Sequence, residues 1–331
     1  MTPLAYSIKD LMFSYSARSS LFVDTLDISA GDVVALVGPN GSGKTTFLHL
    51  LAFILSPQQG SISLLGHDFQ DSEAMTFRRR IGLLPQNPYL FKSSVLENVM
   101  VGLRIRKFPR RLIEKIAKEA LRRVGMEGFE DRWAGSLSGG EAQRVALART
   151  LALNPEVLLF DEPANHLDAE SVRRTEQLIL DLNRCDKKTV IFATHDLTLA
   201  EELAATVIHI FEGHVIPVAP FNLFRGQILE DGAIFDSGAT RFDISNTVQN
   251  GSSILIDPRK ISFSTNEEFQ GLTNVFKGKI ISLSLSKNRI KLGVRAGESF
   301  ELHREFRLDC ENLRIGREIW IHVTPEAITI I

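Results

Sequence analysis

The chain has 331 residues, 44% of them hydrophobic and 24% charged, which suits one large globular domain with a smaller companion. Lys and Arg number 38 against 40 Asp and Glu, a balance that speaks against a globally basic nucleic-acid binder and against an acidic tail. Residues 1–13 lack the basic start and long apolar run of a secretory signal, and apolar runs such as 207–210 fall far short of the roughly 20 residues that span a bilayer. Cys185 and Cys310 are too far apart for a CxxC site or a disulfide framework, so a reduced cytoplasmic setting is expected. The aromatic residues are lopsided: 21 Phe against 3 Tyr and 2 Trp.

Up to about residue 222, short apolar runs alternate with longer amphipathic stretches. Val33–Val37, Ile81–Leu84, 157–160 and 189–193 read as buried strands, and helices are expected over 45–55, 141–153 and 169–183. That order predicts βαβ units around a mostly parallel sheet. Residues 104–123 carry nine basic side chains against Glu114 and Glu119, and read either as a solvated helix face or as a docking surface for an acidic partner. Beyond 222 the pattern changes to short alternating segments at 252–256, 275–285, 289–294, 299–302 and 318–323. Turns such as Asn250-Gly251 and Ala296-Gly297 separate them, which predicts a small all-β sandwich or barrel. The boundary is placed between 1–224 and 225–331; the first part holds 24 basic and 26 acidic residues and the second 14 of each, so neither reads as a nucleic-acid module.

Directly after the Val33–Val37 strand, Gly38-Pro39-Asn40-Gly41-Ser42-Gly43-Lys44-Thr45 has the spacing of a phosphate-cradling loop that opens a helix. Such a loop turns its backbone N–H groups inward around phosphate oxygens, which side chains would obstruct. The helix N-terminus adds unpaired donors and a positive dipole end. Lys44 supplies a charge for β and γ phosphates, Thr45 a hydroxyl for Mg²⁺, and Thr46 a further donor. Three other predicted strands end in polar residues: 157–160 in Asp161-Glu162-Pro163, 81–84 in the segment leading to Gln86, and 189–193 in Thr194-His195-Asp196. Ligands of open parallel sheets sit beyond the carboxyl ends of the strands, so these residues are expected at the loop's edge. There Asp161 can join the Mg²⁺ shell, Glu162 can take a proton from an attacking water, and His195 can align γ-phosphate and water.

Ser136-Leu137-Ser138-Gly139-Gly140-Glu141-Ala142-Gln143 opens the next predicted helix. Ser138 and Glu141 have capping-box spacing, yet two consecutive glycines weaken a helix start and instead suit bare backbone donors for a second phosphate contact.

With these motifs in place, residues 1–224 resemble the nucleotide-binding subunit of ATP-binding cassette (ABC) transporters, an α/β P-loop NTPase fold with a helical subdomain. The glycine-rich loop looks like Walker A, Leu137–Glu141 like the ABC signature, and 157–162 like Walker B. Gln86 corresponds to the Q-loop glutamine, Asn165-His166-Leu167-Asp168 to the D-loop, His195 to the switch histidine, and Tyr15 to the aromatic that stacks on adenine. The resemblance implies ATP and Mg²⁺ as ligands, with Thr45, Gln86 and Asp161 around the metal. It also implies an ATP sandwich of two copies in which Ser138, Gly139 and Gly140 contact the partner's nucleotide. It further implies separate permease subunits docking near 56–101, an associated substrate-binding protein, and a place on the cytoplasmic face of the membrane. Beyond residue 224, 254–261, 273–280 and 313–320 resemble the OB-like β-domain of importer ATPases, the latter two its molybdate/tungstate-binding variant. Of that variant's Ser-Ala-Arg-Asn, only Asn274 is kept. The expectation is an importer ATPase for tungstate or molybdate. Other cargos (phosphate, a metal, a sugar) and a non-transport cassette such as a translation factor, whose D-loop often has the same spelling, are the alternatives.

Overall fold

The computed structural model describes residues 3–16, 19–165, 169–211, 213–216, 222–229, 233–244, 253–286, 289–305 and 313–330. The chain divides into two compact units, Met1–Pro217 and Val218–Ile331. The division falls before the expected 224 because Asn222–Arg225 is already a strand of the second unit, paired antiparallel with Ser253–Ile256.

The first unit is built on one ten-stranded sheet. In chain order its strands are β1 (Leu4–Ser16), β2 (Ser19–Ser29), β3 (Val33–Val37), β4 (Gln59–Leu64), β5 (His67–Asp68), β6 (Ile81–Leu84), β7 (Val157–Asp161), β8 (Thr189–Thr194), β9 (Thr206–Phe211) and β10 (His214–Ile216). Their spatial order is β5-β4-β1-β2-β10-β9-β3-β8-β7-β6. Strands β9, β3, β8, β7 and β6 run parallel, while β2, β1, β4 and β5 form an antiparallel wing. The parallel strands are apolar almost throughout because both faces are covered, and their period of two sorts the side chains. Val33, Ala35, Val37, Leu158, Phe160, Val190 and Phe192 enter one core, and Val34, Leu36, Leu159, Ile191 and Ala193 enter the other.

Helix α1 (Lys44–Leu51) buries Phe47, Leu48 and Leu51 in the second core, together with Tyr6, Ile8 and Leu11 of the antiparallel wing. It stops short of the expected residue 55. Phe53 adopts a left-handed φ of 54° while fully buried, stacked on Phe69 at 4.4 Å and edge-on to Phe77 at 5.1 Å. Here tertiary aromatic packing overrides helix propensity. A short helix, α2 (Ala74–Arg79), leads into β6.

The first core is closed by α3 (Val95–Ile105), α4 (Arg110–Arg123) and α5 (Gly139–Leu151), and by α6 (Ala169–Arg184) and α7 (Leu197–Leu203). Four of the nine basic side chains at 104–123 are paired within the chain: Arg104 with Glu97, Lys118 with Glu114, Arg122 with Glu119 and Arg123 with Asp186. That pairing favours the solvated helix face over an acidic-partner surface.

The second unit is all β, as expected. A five-stranded sheet has the order β16 (Ile261–Ser264), β20 (Glu318–Val323), β17 (Val275–Ser286), β18 (Arg289–Ala296) and β19 (Glu298–Glu305). The outer strands approach each other, because Arg304 on β19 donates to Ser262 Oγ on β16 at 2.9 Å and His303 N–H to the Pro258 carbonyl at 3.0 Å. Two three-stranded sheets complete the unit, β11 (Asn222–Arg225) with β15 (Ser253–Ile256) and β21 (Ile328–Ile330), and β12 (Gln227–Leu229) with β13 (Ile234–Asp236) and β14 (Arg241–Asp243). Part of the phenylalanine excess is spent here: Phe224, Phe242, Phe276 and Phe300 pack on one another, stacked, tilted or edge-on, at centroid distances of 5.1–6.2 Å. Phe224 therefore belongs to this core; Phe221 lies outside the described residues, as does the expected turn at Asn250-Gly251.

His209 on β9 is buried opposite Val37, and burial pushes its imidazole from 6.5 down to about 4, against an opposing pull from Glu201. A depressed pKa means that the unfolded chain takes up the proton first. Stability is then full above pH 6.5 and falls by about 3 kcal/mol toward pH 4. In denaturant titrations, His209→Leu should flatten this dependence relative to the parent; parallel pH curves would remove His209 as its source.

Candidate active site

The loop between β3 and α1 is shaped by two approaches that a side chain would block. A Cβ at Gly38 would stand 2.1 Å from the Ile210 carbonyl oxygen. Gly43, at φ 111°, leads into the first turn of α1, and a Cβ there would meet Leu21 at 2.9 Å. The chain can therefore pass close to β9 and β2 only with hydrogen at these positions. Lys44 is folded back over the loop and nearly buried; its Nζ donates to the carbonyls of Gly38 at 2.8 Å and Pro39 at 3.2 Å.

Asn40, Gly41, Gly43, Lys44, Thr45, Thr46, Gln86, Asp161, Glu162, Asn165 and His195 line one open cleft of about 370 Å³. The three strand ends named from the sequence thus converge on the glycine loop. Thr45 Oγ1 donates to Asp161 Oδ2 at 2.8 Å, which joins α1 to the end of β7. Glu162, the next residue, is buried and held in a left-handed conformation at φ 50°, with its N–H bonded to the Ala193 carbonyl on β8. A non-glycine residue in this region costs of order 1–3 kcal/mol, so the surroundings must enforce it. Its carboxylate lies between two nitrogens: Lys44 Nζ at 3.8 Å from Oε1 and His195 Nδ1 at 3.0 Å from Oε2. His195 is reached from the end of β8, and Asp196 caps α7 by accepting from Thr198 and Leu199 N–H.

The arrangement fits a nucleotide phosphate. Among the described residues, Ser42 Oγ is the buried side-chain oxygen that has no hydrogen-bond partner, and it stands 2.7 Å from where a Gly38 Cβ would be. A phosphate oxygen in the loop satisfies such an orphan donor. The Thr45 hydroxyl, the Asp161 carboxylate and the Gln86 amide supply the hard oxygen ligands that suit Mg²⁺.

Not every expected site residue lies in this cleft. Tyr15 stands outside its lining, 60% exposed and edge-on to Phe13 at 4.9 Å. Asp168 and its neighbours His166 and Leu167 lie outside the described residues. Ser138, Gly139 and Gly140 begin α5 and do not line the cleft; Ser138 and Gly139 are exposed. The capping box is formed, with Glu141 N–H on Ser138 Oγ at 3.3 Å and Ser138 N–H on Glu141 Oε2 at 2.8 Å. A Cβ at Gly139 would meet nothing within 4 Å, so packing inside this chain does not demand glycine there.

Comparison with known proteins decides the family. A sequence profile described as "ABC transporter" matches residues 23–165. The tungstate uptake system ATP-binding protein TupC of Peptoclostridium acidaminophilum is 34% identical over 209 residues, 63% of this chain and 95% of that protein. The chain belongs to the ABC transporter family. It is an ATPase. The Fe(3+) ions import ATP-binding protein FbpC of Escherichia coli (strain K12) is 38% identical over 248 residues, 73% of this chain and 70% of that protein. Other relatives are named for sulfate/thiosulfate and phosphate import. A dimeric ATP-binding cassette solved in a post-hydrolysis state with ADP and Pi matches with a TM-score of 0.58 and 30% identity, covering 63% of this chain and 96% of that one.

Two residues of this ABC cassette take positions that the sequence does not specify: Asn165, expected only as the first residue of the D-loop, and Asn98. Asn165 lines the cleft and donates its N–H to the Glu162 carbonyl at 3.1 Å; its place four residues after the end of a buried strand was the available signal. Asn98 on α3 is fully buried and clamps the segment after Gln86, accepting from Phe91 N–H at 2.7 Å and donating to Phe91 O at 3.0 Å, Ser93 Oγ and Ser94 O. A single Asn within an apolar helix gives no such signal. Lys44→Ala should weaken ATP binding at least about tenfold, through loss of a charge-assisted contact. Unchanged affinity in fluorescent-nucleotide titration would separate Lys44 from the phosphates.

Proposed function

We propose that the chain is the ATP-hydrolysing subunit of an importer, working as an ATP-sandwich dimer beneath separate permease subunits, with tungstate or molybdate as cargo. The observation that carries the catalytic reading is the Glu162 carboxylate, buried at the end of β7 between Lys44 and His195 and next to the Thr45–Asp161 contact. Lys44 exchanges the Gly38 and Pro39 carbonyls for β and γ phosphate oxygens, and the loop N–H groups and Thr46 complete the cradle. Thr45, Asp161 and Gln86 would hold Mg²⁺, which would neutralise charge building on the phosphate oxygens. Glu162 accepts the proton of the attacking water, and His195 holds that water and the γ-phosphate in line. Tyr15, exposed near the end of β1, offers its ring to the adenine.

The Ser138–Gly140 end of α5, exposed at Ser138 and Gly139, takes no part in this cleft and suits the nucleotide of a second copy, with Asp168 expected at the same interface. Two copies placed head to tail complete both sites. The dimeric solved cassette supports this reading. Tyr89 and Phe91, 67% and 45% exposed and edge-on at 5.7 Å, form an aromatic surface fixed by Asn98 that suits the permease. No helix among the described residues is long and apolar enough to cross a membrane; the importer reading itself brings a separate channel and a place on the membrane's cytoplasmic face. A substrate-binding protein would then act through the permease.

The tungstate relative supports the cargo, but the 209 residues matched are 95% of its length, leaving no room there for a second unit like this one. Asn274 is also spent: its side chain accepts from Asp243 N–H at 2.7 Å and donates to Asp243 O at 2.9 Å, so it pins β14 to the start of β17. Iron(III), whose FbpC relatives match over longer stretches, is therefore the second cargo reading.

Glu162→Gln should keep ATP affinity, lose turnover by at least about a hundredfold, and accumulate an ATP-bound dimer; near-normal phosphate release would take the proton-accepting role from Glu162. In that background Ser138→Arg should leave ATP binding to one chain intact and abolish the dimer in size-exclusion chromatography. For the cargo, ATPase activity of the complex with its co-purified permease should rise with tungstate or molybdate; stimulation by iron(III), sulfate or phosphate instead reassigns it.

A further inference from the structure

Gln143 occupies the second turn of α5, buried, and its side-chain Nε2 donates to the Pro163 carbonyl at 2.8 Å. This bond joins two segments that are 20 residues apart. One turn back along α5 is the exposed Ser138–Gly139 end; one residue before Pro163 is Glu162, whose backbone is already held by Ala193 and Asn165. The surroundings are mostly apolar: Leu84, Leu147, Phe160, Leu178 and Ile179, with Arg144 and Thr175 beside them, wall a space of about 10 Å³, at the lower limit for a single water. A buried amide–carbonyl bond with room for at most one water beside it is costly to break, so the start of α5 and the Glu162 turn are coupled.

We infer that Gln143 is a positioning residue that couples the exposed N-terminal end of α5 to the Glu162 carboxylate of the same chain, so that nucleotide held at that end from a second copy sets hydrolysis in this chain's own cleft. The inference rests on the ATP-sandwich reading. Its physical content is reciprocal: a ligand that shifts the α5 terminus shifts Pro163, and displacements near 1 Å at a catalytic base are enough to cost about a hundredfold in rate. Gln143 itself does not line the nucleotide cleft.

The test uses the full chain with Gln143→Leu, which keeps volume and removes the donor. We expect kcat to fall about tenfold to a hundredfold with the KM for ATP changed less than about twofold, and the dependence of rate on ATP to turn from sigmoidal to hyperbolic. In the Glu162→Gln background the ATP-driven dimer should form as readily with the Gln143→Leu change as without it. Parent-like kcat and a retained sigmoidal dependence overturn the coupling. Gln143→Met, similar in length but without a donor, should reproduce the loss. If both variants lose rate only in proportion to folded protein, measured by thermal melting, Gln143 is a core residue and the inference fails. Absence of any ATP-driven dimer in the Glu162→Gln parent instead removes the sandwich reading, a distinguishable failure that takes the coupling with it.

Discussion

The first unit depends on where one buried carboxylate can sit. Glu162 stands at the end of β7 in a backbone conformation that L-residues avoid, and it stays there because β8 binds its N–H and because Lys44 and His195 flank its oxygens. A buried carboxylate without such partners would be strongly disfavoured. The interaction thus ties three segments of distant sequence, the glycine loop, the β7 end and the β8 end, into one arrangement. The stretches leading to it, Val33–Val37, 157–160 and 190–193, carry no polar side chain until they reach this edge.

Rigidity behind the edge comes from sorting. Alternate residues of β3, β7 and β8 supply two separate cores, so each central strand is clamped from both faces and its end is placed with little freedom. The helical elements over one face add a second layer of placement through buried amides. Asn98 shapes the segment carrying Tyr89 and Phe91, and Gln143 ties α5 to Pro163. Both spend a polar side chain on backbone groups inside an apolar setting, which gives position at the expense of some stability.

The second unit solves a different problem with the same residue. Phenylalanine supplies large apolar area without a polar atom that must find a partner, and the unit packs four of them in its core. A further trio, Phe53, Phe69 and Phe77, ends α1 in the first unit. The preference for Phe over Tyr and Trp thus reads as dry packing in two cores rather than as a binding surface; among the described residues Phe91 is the exposed exception.

Local chemistry and period were legible in the chain. Val33–Val37 and Ile81–Leu84 read as strands because nothing else packs a continuous apolar run so short, and the glycine loop declared itself because its spacing serves backbone donors. Convergence of Gln86, Asp161, Glu162 and His195 on that loop also followed, since parallel strands deliver their carboxyl ends to one edge. What tertiary structure alone decided is everything that hangs on contacts between distant positions. The end of α1 at Leu51 is set by Phe69 and Phe77, and the division of the chain before 222 is set by pairing with Ser253–Ile256. Asn274 spends its amide on Asp243, and Gln143 reaches Pro163. A side chain's own identity fixes what bonds it can make; only the packed fold chooses which partner stands at about 3 Å.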